Sequence, residues 1–259
     1  MRVVRTISAV RRELAPRPAG AVGLVPTMGA LHDGHVSLLR AARAECETVV
    51  MSLFVNPAQF GEAGDLERYP RDEAHDLSLA NEAGVDLAFA PSVEEMYPPG
   101  FQTWVEVTEL GSLLEGRFRP GHFRGVATVV LKLLLIVRPA RVYFGQKDAQ
   151  QVEVVRRMVE DLALEVEVRA LPTVRDADGL ALSSRNALLS PEEREVALAL
   201  PRALATRDAD RARALLSGTR GLALDYVEVA DFHPPVLAGA VRVGSTRLID
   251  NVVLEGDHE

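Results

Sequence analysis

An apolar run at residues 21–25 leads without a break into Pro26-Thr-Met-Gly-Ala-Leu-His32-Asp-Gly-His35. Apolar residues then recur at Val36, Leu38, Leu39 and Ala42, which is helical spacing. A buried strand, a small-residue turn and an amphipathic helix in this order point to a parallel α/β layer, whose crossovers pack back onto the sheet. The turn also suits an anion. Its glycines let backbone N–H groups approach a ligand, and the helix start carries positive partial charge. His32 and His35 add two imidazoles to that first turn. The plainer reading is two surface histidines or half of a metal site, so the rest of the chain must decide.

Strand-like and helical patterns alternate through the first two-thirds. Strands are expected at residues 22–25, 48–55, 85–90, 141–144 and 165–170, and helices at 36–45, 71–83, 126–137 and 149–162. This predicts an α/β protein with a Rossmann-like parallel sheet. The last third differs. Ser190-Pro-Glu-Glu193 reads as a capped helix start, opening a helix to about residue 205. A second helix near 210–216 and strands at 225–230 and 241–254 complete a smaller C-terminal α+β domain. Pro172 and Gly179 bracket the boundary, which gives domains of 1–173 and 174–259. Residues 257–259 read as a frayed tail.

Composition removes several classes. The chain has 259 residues, 47% hydrophobic and 25% charged, enough for a substantial core. The longest apolar run, residues 126–137, contains Lys132 and reads as a buried helix, so no membrane partner is expected. Met1-Arg-Val-Val-Arg opens no long apolar stretch of the signal-peptide kind, and a cytoplasmic location is expected. A single cysteine, Cys46, offers neither a disulfide framework nor a zinc cluster. Net charge of −8 and 5% aromatics argue against nucleic acid.

Only two of the 29 basic residues are lysines, Lys132 and Lys147. An ammonium is a compact point charge, and a narrow phosphate site that needs one would not accept arginine's planar fork. Lys147 lies in Phe144-Gly-Gln-Lys-Asp148, at the end of an expected strand, where ligands of parallel sheets sit. Lys132, in an apolar helix, is as readily a chance retention. Phe54-Val-Asn-Pro-Ala-Gln-Phe60 ends another expected strand, and Asn56 and Gln59 there suit hydroxyls and a carboxylate, or an ordinary turn. Ser183-Ser-Arg-Asn186 offers two hydroxyls and a guanidinium to an anion, or is a solvated linker. No dinucleotide fingerprint or P-loop is present. Three loops of donors and positive charge, with no strong nucleophile, fit in-line displacement at phosphorus, with the substrate as nucleophile.

These segments, with Tyr69-Pro-Arg71, Gly121-His-Phe-Arg-Gly125, Thr128-Val-Val-Leu-Lys132 and Arg247-Leu-Ile-Asp-Asn251, resemble the pantothenate synthetase (pantoate–β-alanine ligase) family of the H-x-G-H nucleotidylyltransferase superfamily. They cover roughly residues 20 to 255. The resemblance implies that ATP and pantoate form pantoyl adenylate with loss of pyrophosphate, and that β-alanine then gives pantothenate and AMP. It implies ATP as co-substrate, Mg²⁺ to neutralise phosphate charge, and a homodimer.

Carried over by position, Met28, Gly29, Ala30, Leu31, His32, Asp33, Gly34 and His35 would line the ATP site. His32 and His35 would meet phosphates, with His35 as proton donor. Gly145, Gln146, Lys147 and Asp148 would surround the nucleotide, Lys147 holding its phosphates. Val174, Leu182, Ser183, Ser184 and Arg185 would complete that site, with Arg185 among the catalytic groups. Gln59 and Gln151 would hydrogen-bond pantoate, with Asn56 nearby. The sequence departs from the pattern at Leu182, where methionine is expected, and at His75, where an acidic residue is expected. That leaves Asp76 as the metal candidate. The competing reading is a nucleotidylyltransferase with a phosphorylated acceptor, to which the uncharged Asn56–Gln59 segment is ill suited. An ATP-binding sensor and a nucleic-acid-binding synthetase fragment are weaker alternatives.

Overall fold

The computed structural model describes residues 1–18, 20–61 and 63–254. The expected tail at 257–259 lies outside the described residues. The chain divides into two compact units, Met1–Phe144 with Val154–Leu171, and Gly145–Glu153 with Pro172–Glu259.

The first unit is built on a six-stranded sheet: β1 (Arg2–Val4), β2 (Val22–Thr27), β3 (Thr48–Leu53), β4 (Leu87–Phe89), β5 (Arg141–Gly145) and β6 (Glu167–Leu171). Their order is β1-β4-β3-β2-β5-β6, with β2 paired in parallel to both β3 and β5. The order therefore reverses at β2, the kind of switch point at whose carboxyl end ligands bind in open α/β sheets. Central strands are buried on both faces. Val49 and Met51 join the core beneath helices Asp33–Glu45 and Glu73–Glu82, while Val50, equally buried, points the other way.

Two elements of this unit escape the sequence pattern. β1 is a three-residue edge strand and helix Ile7–Leu14 buries only Val10, so neither carries a long apolar signal. Helix His122–Val137 starts a turn earlier than expected, at Gly121, whose φ is +79°.

The second unit packs helices Pro191–Ala197, Ala199–Leu204 and Ala209–Ser217 on an antiparallel sheet of β7 (Leu222–Ala230), β8 (Val236–Val243) and β9 (Thr246–Val253). Ser190 and Glu193 form the expected capping box. The single helix expected to residue 205 is instead broken at Leu198, three residues before Pro201, which has no N–H to donate. The stretch 241–254 is not one strand. It turns at Gly244, where φ is +55°, so that β8 and β9 pair as a hairpin.

Candidate active site

After β2 the chain passes through Met28 into two consecutive left-handed residues, Gly29 (φ +86°) and Ala30 (φ +51°). Asp76 holds this turn. The backbone N–H of Ala30 donates to Asp76 Oδ2 at 2.9 Å and that of Leu31 to Asp76 Oδ1 at 2.7 Å. Asp76 is 1% exposed. A Cβ on Gly29 would lie 2.8 Å from Asp76 Oδ2, so space as well as φ requires glycine.

Asp76, the metal candidate of the sequence, is engaged in holding this turn. Each of its oxygens already accepts a backbone N–H, and almost none of the side chain reaches solvent. Exposed His75 uses its own N–H to bond Asp72 Oδ1 at 3.0 Å. Among the described residues no group of three or more His, Cys, Asp or Glu could hold a metal ion. The donors do not fit an all-protein Mg²⁺ site.

The turn delivers the chain to His32, which caps helix Asp33–Glu45. His32 Nδ1 accepts from Gly34 N–H at 3.1 Å, and His35 Nδ1 accepts from His32 N–H at 3.3 Å. The two histidines thus form a reciprocal capping box, with ring centroids 4.1 Å apart. An Nδ1 that accepts carries no proton, so the neutral rings bear theirs on Nε2. Both imidazoles therefore present Nε2–H donors at a helix start. Asp33 and Gly34 occupy the first turn of that helix.

β3 leads to Asn56, the cap of a short 3₁₀ turn, Pro57–Gln59. Asn56 Nδ2 donates to Gln59 Oε1 at 3.0 Å and to the Gly125 carbonyl at 3.2 Å. Its Oδ1 accepts from Ala58 N–H at 3.2 Å and from Tyr97 Oη at 2.9 Å. All four hydrogen-bonding positions of the buried amide are spent, which corrects its assignment as a substrate contact. Asn56 instead orients Gln59. With Oε1 held, Gln59 Nε2 points to Met28 and donates to its Sδ at 2.9 Å. Met28 and Gln59, separate in sequence, are thereby brought together.

Aromatic rings back this corner. Tyr97 lies among Phe54, Phe101 and Trp104. Burial pushes its phenol pKa up to about 12. Lys132 Nζ stands 4.7 Å from the Phe101 ring centroid and 5.7 Å from that of Tyr97. Burial lowers the Lys132 pKa.

In the second unit, Gln146–Asp148 form a 3₁₀ turn that runs into helix Ala149–Asp161. Gly145 has φ −85°, and a Cβ there would meet no described atom within 4 Å. Neither turn geometry nor packing within the chain therefore calls for glycine. Lys147 Nζ lies 3.7 Å from Asp148 Oδ2 with its side chain 18% exposed. Gln151 is half-buried one residue past buried Gln150. Asn251 of β9 donates from Nδ2 to the carbonyls of Gln146 and Lys147, both at 2.9 Å.

Val174 and Leu182 face each other across a tight hairpin. Leu182 N–H donates to the Val174 carbonyl at 3.0 Å, and Arg175 bridges to Ala181. Arg175 forms a bidentate pair with buried Asp250 at 2.6 and 3.0 Å. Arg194 tethers the hairpin tip through Asp176 at 2.6 Å and Asp178 at 2.8 Å, and this pair holds the Asp178 carboxyl below its usual range. Ser183 then caps the 3₁₀ turn Ser184–Leu188, its Oγ accepting from Arg185 N–H at 3.3 Å. Sequence patterns miss Asp250 and Asn251 as site residues, because they lie on a strand more than a hundred residues from Lys147. The signal available was their polarity at positions that the strand buries.

Residues 2–253 match the pantoate–beta-alanine ligase family across almost the whole chain. A pantothenate synthetase of Heliobacterium modesticaldum is 53% identical over 97% of this chain and 98% of its own length. One from Roseiflexus sp. is 52% identical over 98% and 100%. The crystal structure of pantothenate synthetase from Thermus thermophilus superimposes with a TM-score of 0.92 at 47% identity, covering 99% of this chain and 100% of that one. The pantoate–beta-alanine ligase of Francisella tularensis, complexed with beta-gamma ATP and beta-alanine, gives 0.87 at 34% identity, covering 98% and 97%. The strand–turn–helix with its paired histidines, the sheet order and these relatives agree, and this chain belongs to the pantoate–β-alanine ligase family.

Proposed function

We propose that this chain joins pantoate to β-alanine at the expense of ATP, through a pantoyl adenylate. In the first half-reaction a pantoate carboxylate oxygen bonds to the α-phosphorus as the bond to pyrophosphate breaks. In the second, the β-alanine amine attacks the activated acyl carbon, AMP leaves, and the amine loses its proton to solvent. The observation that carries this reading is the reciprocal histidine cap. It holds each Nδ1 as the acceptor of a backbone N–H at a helix start, which leaves the neutral rings their protons on Nε2.

In the first unit, His32 and His35 donate to phosphate oxygens, and Gln59, oriented by Asn56, donates to pantoate. In the second unit, the Lys147 ammonium follows charge onto the departing pyrophosphate. Open space beside the bare Gly145 backbone suits close approach of the nucleotide. Ser183, Ser184 and Arg185 contribute further donors, and Gln151 a second amide for pantoate. Mg²⁺ belongs in this reading with the phosphates of ATP, since it keeps most of its waters and favours phosphate oxygens over all-protein cages. A cytoplasmic homodimer completes the reading, and light scattering on the purified chain tests the dimer.

The deciding experiment is pyrophosphate release from ATP and Mg²⁺, with and without pantoate, while β-alanine is withheld. Pantoate-dependent release is expected, with AMP and pantothenate appearing once β-alanine is added. ATP binding with no pantoate dependence would turn the reading toward a phosphorylated acceptor.

A further inference from the structure

Lys147 sits on a one-turn 3₁₀ segment, which has too few internal hydrogen bonds to fix a side chain to a fraction of an ångström. Its backbone is held from elsewhere. Asn251, 5% exposed, spends both amide hydrogens on the carbonyls of Gln146 and Lys147. Asn251 is in turn held by its neighbour. Its backbone N–H donates to Asp250 Oδ1 at 2.8 Å, and Asp250, 3% exposed, is clamped by Nη1 and Nη2 of Arg175. Arg175 directly follows Val174 on the hairpin that leads to Ser183. One chain of bonds, centred on buried Asp250 and Asn251, therefore ties the lysine turn and the hairpin to the same two residues of β9.

We infer that Asn251, anchored by Asp250 and Arg175, is a positioning residue for Lys147 in adenylate formation. This rests on the function proposed above. Two donors on adjacent carbonyls fix both the place and the direction of the turn. The amide cannot be replaced by a carboxylate, which would set its oxygens against those carbonyls. A positioned cation matters most where charge develops at phosphorus, and much less where an amine attacks an acyl carbon. The two half-reactions should therefore separate.

The test compares wild type and Asn251→Ala in each half-reaction: pantoate-dependent pyrophosphate release, and turnover of synthetic pantoyl adenylate with β-alanine. We expect the first rate to fall about tenfold or more, within the range for lost transition-state electrostatics, while the second stays within about twofold. A variant that only loses folded protein lowers both rates equally, and an unchanged ratio would overturn the inference. A cycle with Lys147→Ala adds a second readout. If Asn251 acts through Lys147, the double variant is no slower in the first half-reaction than Lys147→Ala, whereas multiplying losses would refute the link. Should Asn251→Ala not fold, Asn251→Ser, which keeps one donor, is read the same way. Wild type without pantoate-dependent release would instead sink the underlying functional reading.

Discussion

At the residue scale, the site depends on side chains whose work is to hold others. Asp76 is the clearest. Its two oxygens satisfy two N–H groups of a left-handed turn, and that turn sets where His32 begins its helix. Asp76→Asn keeps the shape but offers one acceptor where two are needed. It is expected to cost about 1–3 kcal/mol, the usual penalty for a buried unsatisfied group, and to lower the rate of adenylate formation. Urea titration and pyrophosphate release check both, and an unchanged rate would show that the turn holds without its carboxylate. Tyr97 gives a pH dependence. Its folded pKa, about 12, lies above its ordinary value of 10.0. The folded state therefore keeps the phenol proton after the unfolded state has lost it. The resulting stability is complete below pH 10 and disappears as pH rises toward 12. Tyr97→Phe should flatten the loss of stability over that window, as read by denaturation at about pH 9, 10 and 11.

At the element scale, helix His122–Val137 approaches the 3₁₀ turn Pro57–Gln59 through Gly125. A Cβ on Gly125 would fall inside the contact distance of the Ala58 carbonyl and 2.7 Å from Gln59 N. The same glycine's carbonyl accepts from Asn56. Gly125→Ala must push the helix and the turn apart, so we expect about 1–3 kcal/mol of destabilisation despite alanine's better helix propensity. We also expect a raised KM for pantoate, because Gln59 moves with the turn. Thermal melts and steady-state kinetics measure the two effects. Strand and helix types were legible wherever the apolar period was strong, as in β2, β3 and helix Asp33–Glu45. They were not legible at β1, whose three residues are too few for a period, or at Leu198, where Pro201 breaks a helix that its capping box had begun well.

At the scale of the whole molecule, two hydrophobic clusters share no residue. Leu39 is fully buried in one and Leu204 in the other. Each leucine-to-alanine change should cost about 2–5 kcal/mol, the cavity range for buried leucine. The double variant should lose the sum to within about 0.5 kcal/mol, since sites without shared partners add. Urea denaturation followed by circular dichroism checks this, and a coupling well beyond that margin would mean strain passes from one core to the other.

The sequence by itself determined the parallel layer, the helix start with its two histidines, the second unit's capped helix and the family. Each is written in local pattern: an apolar run, a glycine turn, a capping box, or motifs in a set order. Only the tertiary structure decided what Asn56, Asp76 and Asn251 do. Sequence marks Asn56 and Asp76 as polar residues in reach of chemistry and passes over Asn251, and the structure shows each hydrogen-bonded to the backbone or side chain of a neighbour. The reason is physical. A ligand contact and a buried support need the same amide or carboxylate, and only the partners brought near by folding, 46 residues away for Asp76 and 104 for Asn251, distinguish them.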